Sequence, residues 1–207
     1  MYINKLSVGM LQTNCYIIAD EISGSAAVID PGGDCEKIMN EVNMHGFKLD
    51  YIIITHSHCD HIAALDMLKE ETGAKVVIST TDSATLNNGE YTLSAMLGEQ
   101  PPTSTADIRV NDGDTLNIAG NTAKFIMTPG HTPGSMCVYF DSEKTLFSGD
   151  TLFYESIGRT DFPGGSYASI ASSIRNKLYT LGDDVKVYPG HNSDTTILHE
   201  KESNFYI

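Results

Sequence analysis

One stretch limits what this chain can fold into more than any other. In YIIITHSHCDHIAALDML, residues 51–68, an apolar run of β type feeds directly into His56, His58, Asp60 and His61, and a helical pattern follows. Side chains of an extended segment alternate, so His56, His58 and Asp60 are expected on one side. Asp60 then falls at the N-cap of the following helix, with His61 in its first turn and turned inward. Imidazoles and a carboxylate converging at a strand end form a metal-ligand set that needs no thiolate. Cys59 points the other way by the same alternation and reads as packing. Four neighbouring residues cannot surround an ion, so the fold must bring further ligands to this strand end from distant parts of the chain.

Three candidates have the right setting. His131 in TPGHTPGS, Asp150 in FSGDTLF and His191 in YPGHNSDTT each follow an apolar strand through a glycine, which lets backbones approach closely. IMTPGH and KVYPGH end in the same Pro-Gly-His, and AAVIDPGG is a cousin of both, which suggests a repeated strand–loop plan delivering histidines to one edge. The remaining pattern alternates strands and helices. CYIIAD, AAVID, YIIIT and KVVIS read as strands in the first half; DTLNIAG, AKFIMTPG, MCVYF, TLFSGD and VKVYPG do so in the second. A helix capped by Asp34 runs to about Asn43, with Gly46 as its stop. Ile62, Leu65 and Leu68 recur at helical spacing before Gly73. Residues 80–100 read as short helical pieces followed by a Pro101-Pro102 loop. SYASIASSIRNKLYTL is a helix capped by Ser166, with Ile170, Ile174, Leu178 and Leu181 on one face. No linker interrupts residues 1–207, so one domain is expected.

Composition excludes several classes. Thirteen Lys and Arg against 27 Asp and Glu give a formal net charge of −14, with no basic cluster to attract nucleic acid. Nothing approaches the roughly 18 uninterrupted apolar residues of a membrane span. The N-terminus does not read as a signal peptide, and four scattered cysteines without C-x-x-C suit reduced thiols. A cytoplasmic protein acting on a small molecule is expected; the oligomeric state is left open.

The order H-x-H-x-D-H, Gly-His-Thr, Gly-Asp, Gly-His resembles the metallo-β-lactamase superfamily, over nearly the whole chain from VIDPGG to PGHN. The resemblance implies an α/β fold, an αβ/βα sandwich of two mixed β-sheets flanked by helices, with metals at one edge. Carried over by position, His56, His58 and His131 hold one metal, Asp60, His61 and His191 the second, and Asp150 bridges them. Two divalent ions are implied, zinc first, with iron or manganese as alternatives. A hydroxide shared by metals roughly 3.5–4 Å apart would attack an ester-like bond, with Asp60 and Asp150 orienting the water. Asp30 resembles an early motif aspartate that supports the metal loops.

GDTLFYESIGRTDFPGGS, residues 149–166, is similar to the stretch after the bridging aspartate in glyoxalase II-like (hydroxyacylglutathione hydrolase-like) proteins, and the chain's ending resembles their short bacterial members. The resemblance implies thioester hydrolysis, with Arg159 binding a substrate carboxylate. An Arg159–Asp161 pairing that shapes the loop is the competing reading. Only sixteen residues follow His191, so the helical C-terminal domain of full-length glyoxalase II is not expected, and glutathione specificity stays open. The rival class is the persulfide dioxygenases, similar even in GRTDF, which would use a single iron on His56, His131 and Asp150. Lactonase or β-lactamase activity has less support.

Overall fold

Strands that read as unbroken apolar runs need both faces covered. In the computed structural model, which describes residues 1–207 apart from the side chain of Leu97, they are covered. β1 (Tyr2–Val8), β2 (Thr13–Ala19) and β3 (Ser25–Ile29) form an antiparallel meander, and α1 (Cys35–Met44) crosses to β4 (Lys48–Ile54), parallel to β3. α2 (Cys59–Ile62) and α3 (Leu65–Thr72) lead to β5 (Lys75–Ser79). α4 (Thr80–Ser83) and α5 (Ser94–Leu97) precede β6 (Ile108–Val110), and β4, β5 and β6 run parallel. These six strands form the first sheet in sequence order.

The second sheet repeats the plan in reverse. β7 (Thr115–Ile118), β8 (Asn121–Met127), β9 (Met136–Phe140) and β10 (Thr145–Gly149) form another antiparallel meander. The hairpin β11 (Leu152–Phe153) and β12 (Ser156–Ile157) stands apart from both sheets. α6 (Tyr167–Ser173) then crosses to β13 (Lys186–Pro189), parallel to β10, and β14 (Thr195–Thr196) and α7 (Ile197–Ser203) complete the chain. The sheet order is β14-β13-β10-β9-β8-β7.

Alternation divides each strand between two cores. Ile52 and Ile54 of β4 pack with Ile38, Val42, Leu65 and Leu68 of the helices. Ile53 faces the opposite sheet, among Val77, Phe125, Val138 and Phe147. Behind the second sheet, Cys137, Leu146 and Val187 pack on Ile170, Ile174 and Leu178. Each such large side chain contributes about 1.5–3 kcal/mol on burial. The result is the αβ/βα sandwich of two mixed sheets flanked by helices. Hydrogen bonds join the sheets at one edge: Tyr16 OH donates to the Pro189 carbonyl at 2.6 Å, and Met136 N–H to that of Thr55 at 2.9 Å.

Several local expectations shift. Asp60 lies inside α2, whose N-cap is His58, so it is not the cap. The 59–72 segment is two helices, because Ala64 N–H donates to the Pro31 carbonyl rather than continuing a helical ladder. Asp34 occupies the α1 N-cap with a left-handed backbone, φ 50°, but its side chain does not cap the helix; the carboxylate accepts from Gly9 N–H instead. α6 is capped by Ser166 but closes with a π turn over Ile174–Leu178, and Leu181 lies beyond it. β1, the β11–β12 hairpin and α7 carry no strong sequence signal, being short or weakly patterned.

Candidate metal centre

The carboxyl ends of β3, β4, β10 and β13 and the loop after β8 meet at one edge, where open α/β sheets bind ligands. β4 ends at Ile54, and the non-helical Thr55–His58 segment presents His56 and His58. α2 adds Asp60 and His61, the loop after β8 brings His131, and the ends of β10 and β13 bring Asp150 and His191. The structure thus brings together all seven residues proposed from sequence. Ligand atoms of His56, His58 and His131 lie within 4.8 Å of one another, as do those of Asp60, His61 and His191. A third such group, His56, His61 and Asp150, links them. Nδ1 of His58 is 2.8 Å from Nε2 of His131, and Asp60 Oδ2 is 3.2 Å from His191 Nε2. Asp150 reaches both sides, 3.4 Å from His61 Nε2 through one oxygen and 3.5 Å from His131 Nε2 through the other.

Buried partners aim these side chains. Asp30 accepts from Thr55 N–H at 2.8 Å, Thr55 Oγ1 at 2.7 Å and His61 Nδ1 at 3.0 Å. Thr55 Oγ1 also lies 3.1 Å from His56 Nδ1. The relay orients both rings so that Nε2 of each faces the cluster. His131 Nδ1 donates to the Arg159 carbonyl at 2.7 Å. Asp82 accepts from Ser57 N–H at 3.0 Å and Thr132 Oγ1 at 2.8 Å, tying the loop of His56 and His58 to that of His131. Sequence reading missed Asp82, since it sits in the weakly patterned 80–100 segment and only its burial marks it. Gly190 must lack a side chain, because a Cβ there would run into the Asp150 carboxylate and the His61 ring.

The electrostatics favour cation binding. Burial, reinforced by the other imidazoles, pushes His56 well below the usual histidine range and His58 down to about 3, so both are neutral donors. Burial opposes charge on Asp60 and Asp150, but the surrounding histidines outweigh it, lowering Asp60 and bringing Asp150 to about 2. Burial likewise opposes charge on His61, yet Asp60, Asp150 and Asp30 together raise it well above normal. Three polar atoms, His56 Nε2, His61 Nε2 and Asp150 Oδ1, are buried without a hydrogen-bond partner among the described residues. Buried polar atoms are rarely left so. Converging imidazole nitrogens and carboxylate oxygens suit a divalent cation such as zinc, iron or manganese, and the residues present fit such a metal.

His58, Asp60, His131, Asp150 and His191 of the cluster line a cleft of about 540 Å³. Leu11, Leu93, Met96, Phe153, Ile157 and Phe162 supply apolar walls, and Cys59 also reaches this lining instead of serving only as packing. Arg159 is at the cleft, but its guanidinium is paired with Asp161 through Nε at 2.9 Å and a terminal nitrogen at 2.7 Å. It also lies over the Phe162 ring, 4.2 Å from the centroid. The Arg159–Asp161 pairing is present, at a position that also lines the cleft.

Known proteins resemble this chain in sequence and fold. The Metallo-beta-lactamase superfamily profile matches residues 8–191. A hydroxyacylglutathione hydrolase, GloC, of Haemophilus influenzae is 37% identical over 216 residues, spanning 100% of this chain and 98% of that protein. The crystal structure of BLEG-1 B3 metallo-beta-lactamase superposes with a TM-score of 0.94 at 33% identity, covering 99% of each chain. That of TTHA1623 in a di-iron-bound form gives 0.88 at 27% identity, covering 99% of this chain and 100% of the other. With the sandwich fold and the His/Asp cluster at its edge, these matches establish that the chain belongs to the metallo-beta-lactamase superfamily.

Proposed function

We propose that this protein is a metal-dependent hydrolase that cleaves a thioester, with an apolar acyl group seated in the cleft above the ligand cluster. The observation that carries this reading is the pair of three-ligand groups joined through Asp150 at the floor of an apolar cleft. Full-length similarity to a hydroxyacylglutathione hydrolase supports the thioester class. His56, His58 and His131 would hold one divalent cation, Asp60, His61 and His191 the other, and Asp150 would contact both. Bound there, the cations supply Lewis-acid polarisation of a carbonyl and water acidified to a pKa of about 7.

The chain's own groups do the rest. Asp60 and Asp150, ionised at neutral pH, accept hydrogen bonds from attacking water and fix its lone pair toward the carbonyl carbon. Thr13 Oγ1 donates to Asp60 Oδ2 at 3.2 Å and steadies that carboxylate. Leu93, Met96, Phe153 and Phe162 receive the apolar part of the substrate. The Arg159–Asp161 pair is neutral overall, so the rim offers an anionic thiol carrier little net attraction.

Elemental analysis of the purified protein, paired with a thioester panel that includes hydroxyacyl-glutathione, tests the reading. Two metal ions per chain and chelator-sensitive hydrolysis are expected, and His58→Ala should lose both metal and turnover. A single iron with oxygen uptake on a persulfide, and no hydrolysis, would overturn it in favour of a dioxygenase.

A further inference from the structure

Among the described residues, Glu200 is the acidic side chain most completely withdrawn from solvent, at 0% exposure, and it takes no part in the ligand cluster. Its carboxylate accepts from Glu155 N–H at 3.0 Å, Thr195 Oγ1 at 2.6 Å and Asn204 Nδ2 at 2.8 Å. Asn204 Nδ2 also donates to the Ser156 carbonyl at 3.1 Å. Glu200 in the middle of α7 and Asn204 just past its end, one helical turn apart, therefore grip the Glu155 N–H in the hairpin turn and the carbonyl of the adjacent Ser156 at the start of β12. Outside this grip, His199 meets Glu155 Oε1 at 2.9 Å, and its ring stacks on Tyr154 with centroids 4.9 Å apart.

The hairpin needs such support. It contains only two residue pairs, and an isolated two-stranded hairpin is marginal in water. Glu155 at its turn adopts φ 51°, a left-handed conformation that costs a non-glycine residue free energy unless the surroundings enforce it. Phe153, Ser156 and Ile157 of this hairpin line the cleft. Its base is held separately: Gly158 packs against the Asp150 carbonyl so closely that a Cβ would collide with it, and the Arg159 carbonyl accepts from His131. Turn and base thus answer to different partners.

We propose that Glu200 and Asn204 are positioning residues that set the hairpin wall of the cleft, and with it the size of acyl group the site accepts. The proposal rests on the hydrolase reading only for its substrate consequence; the grip on the hairpin stands without it. Glu200→Ala removes the grip, and Asn204→Ala removes its Ser156 half. Glu200→Gln retains it, since an amide oxygen accepts from Glu155 N–H and Asn204 while its NH2 donates to Thr195 Oγ1.

The test follows amide hydrogen exchange and steady-state kinetics of the metal-loaded protein with N-acetylcysteamine thioesters from acetyl to octanoyl. In Glu200→Ala and Asn204→Ala, exchange should accelerate across residues 152–157 and not in β4 or β10. KM for the octanoyl ester should rise about fivefold or more, with kcat for the acetyl ester within about twofold. Glu200→Gln should restore wild-type exchange and selectivity, and metal content should be the same throughout. Exchange that accelerates equally in β4 and β10, or KM values that rise alike for short and long esters, would overturn the proposal. If the wild type hydrolyses none of the panel, the hydrolase reading fails, and unchanged hairpin exchange in Glu200→Ala would then refute the grip.

Discussion

Replacing Asp30 by alanine should weaken both the fold and the second ligand group, by amounts the structure allows to be estimated. The carboxylate is 2% exposed and accepts three hydrogen bonds, from Thr55 N–H, Thr55 Oγ1 and His61 Nδ1. Alanine leaves a buried backbone N–H and a buried imidazole N–H without acceptors, each costing about 1–3 kcal/mol. Thr55 Oγ1 keeps its contact with His56, so the total falls at about 3–5 kcal/mol rather than the sum of three charged hydrogen bonds. For a chain of this length each kcal/mol lowers Tm by about 2–4 °C, so the metal-free variant should melt about 6–20 °C below wild type. His61 would also lose the contact that orients its ring, which should weaken metal affinity about 10–100-fold. Calorimetry of the metal-free protein and chelator competition measure the two effects, and Asp30→Asn, which keeps one acceptor oxygen, should fall between. A Tm within about 2 °C of wild type with unchanged metal affinity would refute the relay.

Gly190→Ala should lose metal binding while retaining its far-UV circular dichroism, because the added Cβ collides with Asp150 and His61 rather than with the core; full metal occupancy would contradict this. Asp161→Ala frees the Arg159 guanidinium, so kcat/KM for hydroxyacyl-glutathione should rise about threefold or more relative to a neutral thioester, and no change in that ratio would remove Arg159 from substrate binding. All four cysteines are buried, and burial pushes the Cys59 and Cys137 thiols up to about 11. At pH 8 only about one in a thousand of these two is thiolate, so disulfide-exchange titration of native protein should be slow until guanidinium exposes four equivalents. One fast equivalent in the native state would show that this burial is wrong.

Where the chemistry is local or repeated, the chain could be read directly. THSHCDH places four ligand-type side chains within a few residues of a strand end, and Gly-His, Gly-Asp and Gly-His after other apolar runs mark the remaining three. The strands themselves were legible because each must fill two cores, leaving unbroken runs such as YIII and VVI. Helix ends were less so. Asp60 looks like a cap in sequence, but the bend of residues 55–58 moves the helix start forward and leaves His58 in that place.

The sequence by itself determined which ligand-type side chains would meet at one edge, the two half-sheets and the superfamily, since spacing along a strand is enforced by backbone geometry within a few residues. Tertiary structure alone decided what aims those ligands and what shapes the cleft. Asp82 joins Ser57 to Thr132, and Glu200 holds the turn at Glu155 across 45 residues of chain. Arg159 has a carboxylate partner two residues away, and only the loop's fold shows that its guanidinium is paired there. Such contacts depend on two sheets closing against each other, and no local pattern records which distant polar groups that closure will bury together.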